Sequence, residues 1–70
     1  MIRLSRNAKY RINNLEFVYI GFVEGDYNCD KCGQRRQKTH WFIQGLEDNP
    51  TQVAKYGSEC IKHVDIKEVK

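Results

Sequence analysis

Two ligand pairs, each with its members three residues apart, constrain this chain more than anything else in it. Cys29-Asp30-Lys31-Cys32-Gly33 supplies two thiols, and Cys60-Ile61-Lys62-His63 supplies a thiol and an imidazole. A tetrahedral zinc ion takes four such donors from two short, separately folded segments. The pattern carries weight because the chain has only 70 residues, enough for a single domain whose core is marginal without a staple. Disulfides fit poorly, since three cysteines leave one unpaired, and no apolar run behind a basic start marks a signal peptide. The expected setting is therefore reducing and cytoplasmic. No stretch approaches the roughly 20 apolar residues of a membrane span, so a soluble protein is expected.

The segment Asn-Leu-Glu-Phe-Val-Tyr-Ile-Gly-Phe-Val over residues 14 to 23 is β-branched and aromatic enough to predict a strand. Ile2, Leu4, Tyr10 and Ile12 suggest a shorter partner, and Gly25-Asp26 a turn into the first cysteine pair. Thr39 to Gln44 predicts a second strand, Gly45 to Thr51 a loop around Asp48-Asn49-Pro50, and Gln52 to Tyr56 a returning strand. Between the ligand pairs there is thus a β-hairpin. Beyond it, Ser58 is placed to cap a short C-terminal helix, with Glu59 at its positive end and Ile61, Val64 and Glu68 along it. Val64-Asp65-Ile66-Lys67 also alternates as a strand does, which would stop that helix soon after His63. The expected fold class is α+β: one zinc-stapled domain over residues 1–70, with N-terminal strands over 1–27 and a zinc finger over 28–70.

Cys60 and His63, at i and i+3 of a helical turn, project onto one face, and Gly33 gives the first pair the backbone freedom of a tight turn. Three thiolates on a divalent ion leave a formal charge of −1, which Lys31, Arg35, Lys62 and a helix N-terminus would offset. Rival readings are weaker. A redox CxxC belongs to a larger βαβ framework, an iron–sulfur cluster usually takes four cysteines, and free cysteines leave the spacing an accident. His40 is the alternative fourth ligand, but beside Trp41 in a strand it reads more readily as a core-edge residue. A Cys60–His63 nucleophilic pair lacks a cleft and an oxyanion-stabilising motif.

A CxxCG knuckle, a hairpin and a helix that supplies the last two ligands resemble a treble-clef zinc finger over Asn28 to about Val69. Tyr56-Gly57-Ser58-Glu59-Cys60-Ile61-Lys62 is similar to the G-x-x-C segment of small zinc-binding proteins of bacteria and their phages. The resemblance implies Cys29 and Cys32 as knuckle ligands, Gly33 as the turn glycine, and Cys60 and His63 as the helical ligands, with histidine where the last cysteine usually stands. It implies no single function, because the scaffold carries many. The nuclease branch would want a histidine and asparagine constellation, for which the chain offers only Asn28 and Asn49 without a flanking pattern, so no enzyme is expected.

Function is then expected from the surface. Net charge is +3, with Arg3, Arg6, Lys9 and Arg11 at the start and Lys31, Arg35, Arg36 and Lys38 beyond the first pair. Arg35, Arg36 and Lys38, followed by Trp41, make a nucleic-acid contact the first expectation, with Arg3 and Arg6 as a second contact; Trp41 itself is better placed in the small core. The other expectation is a protein-docking module, an accessory subunit or inhibitor of a larger protein, presenting Tyr10, Tyr19, Tyr27 and Tyr56.

Overall fold

The structure, a computed structural model, describes residues 4–69. Five strands form one antiparallel sheet: β1 (Lys9–Ile12), β2 (Leu15–Asn28), β3 (Arg35–Leu46), β4 (Asn49–Gly57) and β5 (Ile66–Glu68), in the order β4-β3-β2-β1-β5. β1 to β4 run as a meander. Asn13 and Asn14, both at positive φ (52° and 69°), join β1 to β2 directly below the closing pair Ile12 and Leu15. Two successive left-handed residues are what a two-residue type I′ hairpin demands, and asparagine tolerates them best after glycine.

The second strand is longer than expected. Gly25-Asp26 does not turn the chain; it lies inside β2 as an irregularity between Glu24 and Tyr27, and another lies between Tyr19 and Gly21. Bulges bend and twist a strand, so β2 and β3 curve round their inner face. The loop expected at Gly45 to Thr51 contracts to Glu47-Asp48, because Leu46 pairs with Asn49 and Gly45 with Pro50. Pro50 is tolerated there since β4 is an edge strand with one free side.

The expected α+β class is overturned, because the described residues hold no α-helix. In place of the C-terminal helix stands a single 3-10 turn, Cys60–His63, followed by β5. Ser58 does not cap it: the residue before the turn is Glu59, and no side chain bonds the turn's amides. The strand alternation wins, because Ile66 turns inward as β5 pairs with β1, Ile12 opposite Ile66 and Tyr10 opposite Glu68. Isolated helices this short are marginal in water, whereas three β-residues on an open sheet edge gain a ready-made ladder. To reach β1 from β4 the chain crosses the sheet, and Ile61 is buried on the way.

The core lies on the inner face, where Tyr10, Ile12, Phe17, Tyr19, Phe42, Tyr56, Ile61 and Ile66 pack with Cys29. Phe42 is fully buried between Tyr10, Tyr19 and Tyr56, with ring centroids 5.0–6.1 Å away. Of the apolar residues of β2, Phe17 and Tyr19 pack here, Leu15 and Phe22 are largely exposed, and Val23 is half-buried. Ile2 and Arg3 lie outside the described residues.

Candidate metal centre and the face beside it

The chain between β2 and β3 is a six-residue knuckle, 29–34, closed by the pair Asn28 and Arg35. The Cys29 N–H donates to the Gln34 carbonyl at 2.9 Å and the Gly33 N–H returns to the Cys29 carbonyl at 2.8 Å. Gly33, at φ +74°, occupies a left-handed position that a Cβ would strain. The knuckle is clamped to β4 by Asp30, whose N–H donates to the Lys55 carbonyl and whose carboxylate accepts the Lys55 N–H, both at 2.7 Å. β4 thereby ends alongside Cys29, and the Gly57 N–H reaches its Sγ at 3.4 Å.

Cys29, Cys32 and Cys60 converge. Their sulfurs lie within 4.8 Å of one another, and all three cysteines are free thiols. Zn–S bonds of about 2.3 Å in a tetrahedron set sulfurs about 3.8 Å apart, so a small contraction makes these three a face of such a site. Their burial grades from core to solvent: Cys29 is buried within the core cluster, Cys60 packs against it, and Cys32 is exposed. The centre is thus the rim of the hydrophobic core.

The electrostatics also suit a cation. Burial pushes the Cys29 thiol up, but the amides of Cys32, Gly57 and Lys31 and the Cys60 thiol outweigh it and hold it down to about 7. Cys60, whose proton is shared with Cys32 and Cys29, is pushed up to about 11 by those two bonds, by burial and by the charge of its neighbours. Three crowded thiols cannot all ionise without a counter-charge, and a divalent cation is the usual one. The charge-offsetting role expected of a helix N-terminus falls instead to these N–H···S contacts, since the helix is absent. Lys62 shares its charge with Glu59, at 3.8 Å.

His63 is not in the converging set. It is exposed at the end of the 3-10 turn and borders a recess lined by Asp30, Lys31 and Tyr56, the inner residues of the knuckle and the end of β4. His40 is held elsewhere. Its Nδ1 is 2.7 Å from the Tyr19 hydroxyl, its ring stacks on Phe22 at 3.9 Å, and burial lowers its pKa. It is the core-edge residue its position predicted.

The basic residues sort by position. Arg35, Arg36 and Lys38 are all exposed on β3, immediately beyond the knuckle. Among the described residues none of the three makes an ion pair within 4 Å, although Lys38 lies across from Glu24. Arg6 instead pairs with Glu47 at 3.5 Å, and Arg3 lies outside the described residues. Trp41, expected in the core, lies half-buried on the outer face; its Nε1 donates to Thr39 Oγ1 at 2.7 Å. Three of the four tyrosines expected to dock a partner, Tyr10, Tyr19 and Tyr56, are core residues. Only Tyr27 is on the outer face, edge-on to Trp41 at 5.0 Å.

Sequence reasoning missed the Trp41–Tyr27 pair and the part of Lys55 in it. The signal available was parity: Trp41 neighbours Phe42 in a strand, and only one of two successive residues can face the core. No helix among the described residues is long and apolar enough to cross a membrane. No family model, curated protein or solved structure matches the chain, and nothing ties it to treble-clef fingers.

Proposed function

We propose that this chain is a small non-catalytic module in which a structural zinc ion, held by Cys29, Cys32, Cys60 and His63, fixes a β-sheet that binds nucleic acid through Arg35, Arg36 and Lys38. The observation that carries the metal reading is the convergence of three thiols from two distant segments to within 4.8 Å. Thiolate-rich sets select soft or borderline cations, and three sulfurs with one imidazole suit zinc. His63, which lies outside the converging set, is the fourth donor assigned, and its imidazole must turn toward the sulfurs to bind. In a 3-10 turn the side chains at i and i+3 eclipse, so His63 stands in line with Cys60, beside the knuckle's own Asp30 and Lys31. Such a site is maintained where thiols stay reduced, which supports a cytoplasmic module.

Two substitutions test the fourth ligand. His63→Ala is expected to lower zinc affinity by about 10- to 100-fold or more while leaving the three-sulfur site in place. His40→Gln is expected to leave it unchanged, as its ring is committed to Tyr19. Competition with a chromophoric chelator measures both; the reverse ranking would move the fourth ligand away from the turn.

The nucleic-acid reading is supported by the exposed Arg35, Arg36 and Lys38 beside the outer-face aromatics. Docking of a protein keeps one of its four tyrosines, the rest being spent on the core. Retention on heparin or DNA is expected to fall steeply with salt, and Arg35→Ala with Arg36→Ala to lower the slope of log affinity against log salt by roughly two, one for each phosphate that an arginine no longer neutralises. A slope unmoved by the double change would remove these arginines from the interface.

A further inference from the structure

Three side chains on the outer face are gathered in a way that core packing does not require. Trp41, the chain's sole tryptophan, and Tyr27 stand edge to face, 5.0 Å apart at 80°. Lys55 is paired directly opposite Trp41 in the β3–β4 ladder. Its Nζ lies 5.5 Å from the indole centroid and 5.8 Å from that of Tyr27. None of the three belongs to the buried core cluster. Gly25 makes room for the arrangement, since a Cβ there would lie 2.8 Å from Tyr27 Cε2. Along the same strand, Arg35 and Arg36 stand exposed with no ion pair among the described residues.

We propose that Trp41, Tyr27 and Lys55 form a stacking platform for an unpaired base, so that the nucleic acid bound by this face is single-stranded. The proposal rests on the nucleic-acid reading above and names its ligand class. In a duplex the bases are already stacked on one another and turn only their edges outward, whereas single strands can lay a ring on an aromatic side chain. A lysine over an indole is held by a weak contact on a flexible stem. A base can therefore take its place on the ring while the ammonium moves to the adjoining phosphate. Arg36 is paired directly opposite Tyr27 in the β2–β3 ladder, which sets a phosphate-binding cation next to the platform. Every base has a π-face, so the site accepts many sequences. The charge balance agrees, since the neighbours along β3 are cations and the chain is net basic.

Trp41 is its own reporter. The zinc-loaded, unmodified protein is titrated at low salt with oligothymidylate and with oligouridylate of about 12 nucleotides, with a DNA duplex of equal length, and with heparin. Occupancy is followed separately by anisotropy of labelled ligand, or by retention for heparin. Saturating quenching of tryptophan emission is expected with the single strands and not with duplex or heparin at equal occupancy. Whichever of the thymidylate and uridylate strands binds more tightly identifies DNA or RNA as the source. Trp41→Leu is expected to weaken single-strand binding by about 10-fold with the salt slope unchanged; if that variant does not fold, the quenching of the natural protein decides alone. Single strands that bind without quenching, or heparin that quenches equally, would overturn the platform and leave phosphate binding by the arginines intact. Failure to bind any nucleic acid at low salt would overturn both and leave this face to a protein partner.

Discussion

A chelator added at neutral pH is expected to unfold the chain, and Cys29→Ser to prevent its folding even with zinc in excess. Structural zinc sites contribute apparent binding free energies of about 10–16 kcal/mol at neutral pH. Domains of ordinary size are stable by about 5–15 kcal/mol in total, and one of 70 residues sits low in that range. Withdrawing the metal therefore removes as much as the fold has. Cys29 is the most sensitive of the proposed ligands because it would serve twice, its sulfur as a donor to the metal and as part of the buried core. It also anchors the Gly57 N–H at the end of β4. Cys32, exposed, carries only the first role, so Cys32→Ser is expected to lower metal affinity while zinc in excess still folds the chain. Circular dichroism melts with and without chelator, alongside metal stoichiometry by mass spectrometry, measure the difference. A metal-free chain that melts with the same cooperativity would take the metal out of the account of folding.

The strands and the three sulfurs were legible because short-range physics decides them. Phe17 and Tyr19 alternate with polar or half-buried neighbours, and that period of two survives in any sheet that buries one face. The cysteine cluster was legible because thiols paired three apart are the pattern that a metal site asks of a chain. The C-terminal segment was not, since Ser58 to Val64 carries helix-start signals while the fate of residues 64 to 68 depends on an edge of β1 far away in sequence. A local cap is worth about 1 kcal/mol, and pairing with an open edge together with burial of Ile66 outweighs it. Gly25-Asp26 misled for a related reason: a glycine at φ +141° fits a bulge as well as a turn, and only the partner strand selects between them. Asn13-Asn14 was the hairpin signal that the sequence did hold, two residues tolerant of positive φ between apolar neighbours.

Phe42→Ala is expected to lower the melting temperature of the zinc-loaded chain and to weaken zinc binding as well, although Phe42 is not itself one of the assigned ligands. The ring is completely buried and lies 5.0 Å from Tyr19 and 6.1 Å from both Tyr10 and Tyr56. It is the point at which β1, β2, β3 and β4 meet. Phe→Ala at such a site costs about 3–5 kcal/mol, most of what about 0.1 kcal/mol per residue gives a chain of this size. When folding and binding are one equilibrium, stability lost from the sheet is drawn from the apparent metal affinity. Phe42→Leu, which keeps much of the volume, is expected to cost appreciably less. Leu46→Ala, at a side chain 69% exposed on the hairpin tip, is expected to stay within about 0.5 kcal/mol of the natural chain. Zinc affinity by competition, read beside the thermal melt of each variant, separates two ways of building the molecule. Parallel losses mean that the knuckle, the 3-10 turn and the sheet fold as one unit through Cys29. A Phe42→Ala chain that keeps full metal affinity while losing its sheet would mean instead that the ligand segments fold alone, with the aromatic core added to them.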